Sequence, residues 1–168
     1  MTRPQVVLVG PMGAGKTTVG RRLAELWGTG FRDTDQDIEA QQGKSVSDIF
    51  VDSGEPHFRE LERAAVLAAL EEHPGVLAVG GGAVLDPGTR AALDGHRVVF
   101  LRVGLSDAVK RVGLGSARPL LLGNVRGRLV QLLADRLPLY AECATESVET
   151  DRLTPDEVLD QIMSQTRV

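Results

Sequence analysis

The 168-residue chain has few residues of several kinds, and each shortage excludes a class of protein. Cys143 is its one cysteine, so neither an intrachain disulfide nor a thiolate metal cage can form. No apolar run approaches the length of about 18 residues that a membrane span needs, and the first residues lack the apolar core of a signal peptide. The net charge of −4 argues against a nucleic-acid or membrane surface. We therefore expect a cytoplasmic protein without nucleic-acid or membrane partners.

The residues that are present suit one globular α/β domain over residues 1–168. Hydrophobic residues make up 42% of the chain and charged residues 25%, which is ordinary for a soluble domain. Strand-like apolar segments alternate with helix-like segments, and the strand candidates are 5–9, 31–33, 76–79, 97–103 and, at the outside, 145–149. The predicted helices after 18–27 are a short one opened by a capping box at 45–48, a long one from Pro56 to the Pro74-Gly75 stop, 106–112, 125–137, and a last one opened by a capping box at 154–157 with Pro155 in its first turn. This alternation predicts right-handed βαβ crossovers and a parallel sheet with helices on both faces.

Residues 10–17 match the G-x-x-x-x-G-K-[ST] pattern of a phosphate-binding loop. The pattern follows one strand candidate and precedes the helix-like segment 18–27, which is the context this loop requires. Its glycines allow backbone N–H groups to surround phosphate oxygens, Lys16 would reach the β- and γ-phosphates, and the Thr17 hydroxyl would bind Mg²⁺. The alternative interpretation is a glycine-rich turn that joins a strand to a helix.

Three notable segments, 10–17, 33–35 and 80–82, each follow a strand candidate. Ligands of parallel α/β sheets bind beyond the carboxyl ends of the strands, so these segments should converge on one edge. Asp33 and Asp35 could help to hold Mg²⁺ and accept a proton from a hydroxyl group. Alternatively, they are a helix N-cap and its solvated neighbour, because Asp favours helix starts.

The sequence lacks both short motifs of a P-loop GTPase, N/T-K-x-D and D-x-x-G, which favours ATP as the nucleotide. Neither of the apolar runs 76–79 and 98–101 ends in an acidic residue, so the usual Walker B carboxylate is missing there. Only three of the 19 basic residues are lysines. Arg59, Arg118 and Arg136 are of interest because arginine suits bidentate recognition of a carboxylate or phosphate.

Taken together, these residues resemble those of the shikimate kinase family, and the resemblance covers nearly the whole length of the chain. Six motifs occur in the order and spacing of the family: Gly10–Thr18, Asp33-Thr34-Asp35, Phe58-Arg59 with Glu62, Gly80–Gly82, Arg118-Pro119-Leu120, and Arg136 with Pro138-Leu139-Tyr140. The resemblance implies a three-layer sandwich around a five-stranded parallel sheet, of the P-loop, nucleoside-monophosphate-kinase-like fold. It also implies a substrate-binding region at about 34–63 and a lid at about 113–127.

The resemblance further implies ATP and shikimate as substrates, Mg²⁺ as cofactor and a monomer. Lys16, Asp35 and Arg118 would be the catalytic residues, with Asp35 accepting the proton of the 3-hydroxyl group. Shikimate would be bound by Asp35, Arg59, Gly80, Gly81, Gly82 and Arg136. ATP would be bound by Gly13, Ala14, Gly15, Lys16, Thr17, Thr18, Arg111, Arg118, Arg152 and Pro155. Mg²⁺ would rest on Thr17, with Asp33 acting through water.

Three other functions stay open on the sequence. A kinase of another small hydroxylated acid, such as gluconate, would also use arginines for its carboxylate. A nucleoside-monophosphate kinase would need a nucleobase pocket, for which no candidate is found. A non-catalytic nucleotide-binding module would be expected to have lost Lys16, Asp35 or Arg118, and all three are present.

Overall fold

The structure is a computed structural model that describes residues 2–103 and 125–165, and for residues 125–130 it describes the backbone alone. Within these residues the chain alternates strands with helices. The strands are β1 (Val6–Val9), β2 (Phe31–Asp33), β3 (Val76–Ala78), β4 (Val98–Arg102) and β5 (Glu146–Glu149). The helices are α1 (Lys16–Leu26), α2 (Thr34–Gln42), α3 (Val46–Ser53), α4 (Glu55–Glu72), α5 (Pro87–Leu93), α6 (Val125–Cys143) and α7 (Pro155–Ser164), with a 3₁₀ turn at Ala83–Leu85.

The five strands form one parallel sheet in the order β2-β3-β1-β4-β5. Strand β1 is central, and all four of its residues are completely buried, as expected for a strand covered on both faces. Because every strand runs in the same direction, the chain leaves β1, β2 and β3 at the same edge of the sheet. The predicted five-stranded parallel sheet is confirmed.

Successive side chains of β1 enter two different hydrophobic cores, because neighbouring residues of a strand point to opposite faces. Val6 and Leu8 pack with side chains of α1 and α7, including Leu23 and Ile162. Val7 and Val9 pack on the other face with side chains of α4 and α6 and with the 3₁₀ turn. Two helical layers therefore enclose the sheet, and the predicted three-layer sandwich is confirmed.

A third, smaller core lies between α2, α3 and α4, in the region predicted to bind substrate. It contains Ile38, Ile49, Phe58 and Ala65, each at most 4% exposed. This core holds α4 in place, and the Arg59 side chain extends from the first turns of that helix. The sequence indicated α3 and α4 but not α2, which is discussed below.

Two predicted helix boundaries differ from the structure. The first helix begins at Lys16 and not at residue 18, so that the last residues of the phosphate-binding loop already belong to its first turn. The helix predicted over 125–137 continues through Pro138 to Cys143. Burial of the completely enclosed Tyr140 on this extension offsets the loss of one backbone hydrogen bond at proline.

Several predictions concern residues outside the described part of the chain. These are the helix predicted over 106–112, the predicted lid as far as residue 124, and the side chains of Arg111 and Arg118. Among the helices that the structure describes, none combines the length and the apolar character needed to cross a bilayer.

Candidate active site

The segments that follow β1, β2 and β3 enclose a cleft of about 330 Å³ at the carboxyl edge of the sheet. The cleft is lined by Met12, Gly13, Gly15, Lys16, Thr17, Thr18, Asp33, Asp35, Val79, Gly80 and Gly81. Residues from all three segments that were predicted to converge therefore meet in one cleft.

The phosphate-binding loop ends at the positive end of helix α1. Gly15 caps this helix with a φ of 92°, a left-handed conformation that favours glycine. No acidic residue lies in the first turn, and no side chain caps its N–H groups. These groups and the helix dipole therefore face the cleft without an anionic partner from this helix, which is the arrangement that binds phosphate.

The Lys16 ammonium group lies within the phosphate-binding loop. Its Nζ atom donates hydrogen bonds to the carbonyl oxygens of Gly10, at 2.6 Å, and Pro11, at 3.1 Å. Burial lowers the pKa of Lys16 to about 8, although the carboxylates of Asp35 and Asp33 act in the opposite direction. The positive charge of Lys16 is therefore buried, and the two nearby carboxylates offset only part of the cost of burying it.

Asp33 is the N-cap of helix α2, as one of the two interpretations of the sequence predicts, and its second carboxylate oxygen stays available to the cleft. Its Oδ1 atom caps helix α2 by accepting hydrogen bonds from the N–H groups of Asp35, at 2.8 Å, and Gln36, at 3.4 Å. Its Oδ2 atom faces the phosphate-binding loop and lies 3.4 Å from the Thr17 hydroxyl oxygen. The same carboxylate can thus fix the start of a helix and present an oxygen beside Thr17.

Asp35 lies in the first turn of α2, with its side chain in the cleft. Burial, followed by repulsion from Asp33 and Glu62, raises the pKa of Asp35 to about 6, and attraction by Lys16 opposes this shift. Its Oδ1 atom is buried and has no hydrogen-bond partner among the described residues. A buried carboxylate with a pKa of about 6 and an unpartnered oxygen is a suitable general base near neutral pH.

The glycine segment 80–82 follows β3 and passes very close to charged side chains. A Cβ atom at Gly80 would lie 2.7 Å from both Asp35 Oδ1 and Glu62 Oε2. A Cβ atom at Gly82 would lie 2.4 Å from an Arg59 guanidinium nitrogen. Only glycine fits at these positions without displacing the side chains, so the segment acts as a backbone wall for the cleft.

Arg59 is held from several sides at the start of helix α4. Its Nη1 atom lies 2.7 Å from Glu62 Oε1, and its Nη2 atom lies 3.3 Å from Glu55 Oε2. The guanidinium also lies over the Phe58 ring, 5.4 Å from its centroid. Glu62 is only 3% exposed, and burial raises the pKa of its carboxyl group, although the hydrogen bond from Arg59 opposes this.

Arg136 approaches the glycine segment from helix α6. Its Nη1 atom would lie 3.7 Å from a Cβ atom at Gly81, and its charge contributes to the lowered pKa of Lys16. The Nε atoms of Arg59 and Arg136 are both buried and lack a hydrogen-bond partner among the described residues. The two arginines thus flank the glycine segment, and each keeps a buried N–H group available to donate a hydrogen bond to a ligand.

Some of the predicted ATP-binding residues lie elsewhere in the structure. Ala14 is buried in the core beneath the loop. Arg152 and Pro155 are exposed residues beyond β5, outside the lining of the cleft, and Arg152 has a left-handed φ of 63°. Their contacts with ATP remain predictions, as do the roles of Arg111 and Arg118.

Four residues of this region had no predicted role. Met12 and Val79 line the cleft, Glu62 pairs with Arg59, and the Tyr140 hydroxyl donates a hydrogen bond to the Gly81 carbonyl oxygen. Glu62 and Tyr140 were available in the sequence as members of the family motifs. Their role depends on burial, which spacing along one chain does not reveal.

A parallel sheet between two helical layers, with a phosphate-binding loop after its central strand, defines a protein of the P-loop nucleoside-triphosphate-binding fold. The sequence model of the shikimate kinase family matches residues 12–167. The chain belongs to the shikimate kinase family.

Individual relatives agree with this assignment over most of the chain. Shikimate kinase of Frankia casuarinae is 63% identical over 155 residues, which cover 92% of this chain and 69% of that protein. Shikimate kinase of Thermobifida fusca is 58% identical over 161 residues, which cover 96% of this chain and 94% of that protein. A solved structure of Acinetobacter baumannii shikimate kinase in complex with shikimate has a TM-score of 0.90 at 37% identity. The match covers 99% of this chain and 93% of that chain.

Proposed function

We propose that this protein transfers the γ-phosphoryl group of ATP to the 3-hydroxyl group of shikimate, giving shikimate 3-phosphate and ADP. This is a step of chorismate and aromatic amino acid biosynthesis. The observation that carries the proposal is the convergence on one cleft edge of a phosphate-binding loop, a carboxylate with a raised pKa, and two arginines beside a glycine segment. The cytoplasmic location and the monomeric state remain predictions.

The two sides of the cleft have complementary chemistry for this reaction. On the donor side, N–H groups of residues 13–18 and the Lys16 ammonium would bind the phosphates, with Arg118 adding charge from the lid. On the acceptor side, Arg59 and Arg136 would bind the carboxylate of shikimate, and N–H groups of the glycine segment would contact its ring. Phosphoryl transfer depends mainly on such positioning and on charge neutralisation.

Asp35 would accept the proton of the attacking 3-hydroxyl group. It lies near enough to Lys16 for their charges to alter each other's pKa, so proton acceptor and phosphate-binding lysine adjoin one another. As the oxygen–phosphorus bond forms, the hydroxyl proton passes to an Asp35 carboxylate oxygen and the bond to the ADP oxygen breaks. General-base assistance of this kind typically contributes about 10²–10⁴ in rate.

The residues present fit a Mg²⁺ ion that is shared with the nucleotide. The Thr17 hydroxyl and the Asp33 carboxylate are hard oxygen donors that lie 3.4 Å apart. No group of three or more His, Cys, Asp or Glu side chains suited to a metal occurs in the described residues, so further ligands would come from phosphates and water. When bound, Mg²⁺ would neutralise the charge that develops on the phosphate oxygens.

A substrate panel tests the proposed function. The protein is mixed with MgATP and, in separate reactions, with shikimate, gluconate or a nucleoside monophosphate, and ADP release is followed against a blank without acceptor. We expect turnover with shikimate and not with gluconate or a nucleoside monophosphate. The phosphorylated product should be shikimate 3-phosphate. ADP release with shikimate no faster than in the blank would refute the proposal, and faster turnover with gluconate would reassign the acceptor.

A further inference from the structure

Tyr140 is the single tyrosine of the chain and is completely buried. Its ring packs against Phe100 of strand β4, with the ring centroids 5.0 Å apart. Phenylalanine would fill the same space, so the packing alone does not explain the hydroxyl group. That hydroxyl donates a hydrogen bond to the carbonyl oxygen of Gly81, in the middle of the glycine segment.

This hydrogen bond completes a pattern along residues 80–82. The carbonyl oxygen of Gly80 accepts from Ala83 N–H at 3.1 Å, and that of Gly82 accepts from Leu85 N–H at 3.0 Å. With Tyr140 on Gly81, all three carbonyl oxygens are bound within the protein, whereas no N–H group of these glycines donates to another described residue. The segment therefore presents hydrogen-bond donors to a ligand.

The position of one carbonyl oxygen also determines the direction of the next N–H group, because the peptide unit is planar. By holding the Gly81 oxygen, the Tyr140 hydroxyl fixes the orientation of the Gly82 N–H group. Without the hydroxyl, the Gly81 carbonyl oxygen loses its hydrogen-bond donor, and the two glycines leave the backbone free to rotate about this peptide unit.

Arg136 lies one helical turn before Tyr140 on α6, so the two side chains share a face of the helix. Burial raises the pKa of the Tyr140 hydroxyl, and the nearby positive charge of Arg136 opposes this shift. The guanidinium is also near Gly81, as described above. The Tyr140 hydroxyl thus binds the glycine residue that lies beside the arginine.

We infer that Tyr140 is a positioning residue, whose hydroxyl holds the glycine segment in a fixed arrangement beside Arg136 for binding the acid substrate. The inference rests on the proposed function, because it assigns these two groups to the same ligand. Tyr140 itself does not touch the reacting atoms, and its effect should therefore be confined to the acceptor side of the cleft.

The kinetic test uses Tyr140→Phe, which removes the hydroxyl and keeps the ring. We expect the KM for shikimate to rise about tenfold, which corresponds to the loss of roughly one hydrogen bond, while the KM for ATP changes less than twofold. Thr145→Val is a matched control, since it removes a hydroxyl that donates to the Val98 carbonyl oxygen at the opposite edge of the sheet. Both KM values of this control should stay within twofold of wild type.

The outcomes separate this inference from the proposed function. Absence of shikimate turnover by the wild-type protein would refute the function itself. Wild-type turnover with an unchanged shikimate KM in Tyr140→Phe, or an equal rise in both KM values, would overturn the positioning role of Tyr140 alone.

A spectroscopic test does not depend on any substitution. Because the chain has one tyrosine, growth on 3-fluorotyrosine gives a single ¹⁹F resonance, from residue 140. Saturating shikimate should shift this resonance, since the ligand would engage Arg136 and the glycine segment, and MgATP should shift it less. A resonance that does not respond to shikimate, measured under conditions where the protein turns it over, would overturn the inference.

Discussion

The Asp35 carboxyl group is buried beside Asp33 and Glu62, which raises its pKa to about 6. Only the ionised form can accept a proton, so activity should decline as the pH falls through this value. We expect kcat/KM for shikimate to fall about tenfold per pH unit below about 6. Steady-state assays from pH 4.5 to 8 check this, and a constant kcat/KM between pH 5 and 7 would contradict it. Asp35→Asn removes the proton acceptor and should lower kcat by a factor of about 10²–10⁴.

The same pKa shift has a consequence for stability. Because the pKa of Asp35 is higher in the folded protein than its ordinary value of 3.8, the folded state binds this proton more tightly. The penalty for charging Asp35 therefore grows as the pH rises from about 4 through 6, and it is complete above 6. Asp35→Asn should raise the free energy of unfolding at pH 8 by about 3 kcal/mol. Urea denaturation at pH 4 and 8 tests this, and the difference should nearly vanish at pH 4.

Gly80 illustrates a position where space, and not backbone conformation, requires glycine. In Gly80→Ala, the new methyl group would meet Asp35 and Glu62 at 2.7 Å and force both carboxylates to move. A displacement of about 1 Å in a catalytic group can cost roughly 10² in rate, so we expect a loss of that order in kcat/KM for shikimate.

Gly30→Ala is the matched control for Gly80→Ala. Its Cβ atom would lie 3.5 Å from His73 Cε1, which is an ordinary contact. The control should retain wild-type rates within about twofold, and a comparable loss in both variants would show that the effect of Gly80→Ala is not specific to the cleft.

Two of the described helices, α2 and α5, were not indicated by the sequence pattern, and α2 is the one that carries Asp35. Its residues are largely polar, and only Thr34 and Ile38 are buried, so no apolar periodicity marks it. Its start is determined by the Asp33 cap and its end by Gly43, whose φ of 68° is left-handed. The two aspartates after β2 were recognised as a site and as a helix cap, but the helix itself depends on tertiary contacts with α4.

The last helix was predicted correctly because its signals are local. Thr154 and Glu157 form a reciprocal capping box, in which each side chain accepts a hydrogen bond from the backbone of the other, and Pro155 occupies the first turn. By contrast, the extension of α6 beyond Pro138 could not be predicted, because it is stabilised by burial of Tyr140 against another element.

The capping box makes a prediction about α7. Thr154→Ala should lower the free energy of unfolding by about 1 kcal/mol, because the N–H group of Glu157 loses its acceptor. For a chain of this length, that corresponds to a fall in Tm of roughly 2–4 °C. Thr154→Ser keeps the hydroxyl and should retain the wild-type Tm, as measured by thermal denaturation. Equal Tm values for wild type and Thr154→Ala would show that the box does not stabilise the helix.

For the whole molecule, the order of segments along the chain was enough to predict the sheet and the edge that carries the site. Gly10, Asp33 and Gly80 all follow parallel strands, so the topology brings them together. The energetics of the site could not be predicted in this way. The burial that lowers the pKa of Lys16 and raises that of Asp35 arises only when the three loops enclose the cleft.

Both pKa shifts favour the neutral form, so the protein without ligands holds the charges of Lys16 and Asp35 at a cost in stability. A bound nucleotide would supply negative charge beside Lys16 and remove part of that cost. At about 100 times its Kd, MgATP should stabilise the fold by about 2.7 kcal/mol, or roughly 5–10 °C in Tm. This predicts a marked thermal shift that depends on the charge of Lys16.

Lys16→Ala tests this linkage between the site and global stability. Without nucleotide its Tm should lie within about 2 °C of wild type, because removing a poorly compensated buried charge offsets the loss of the hydrogen bonds to Gly10 and Pro11. With MgATP its thermal shift should fall below about 2 °C. Lys44→Ala is the matched control, since Lys44 pairs with Asp52 on the surface and should leave the wild-type shift intact. A full thermal shift in Lys16→Ala would mean that the nucleotide binds without this lysine, and a strongly lowered Tm without nucleotide would mean that Lys16 is mainly structural.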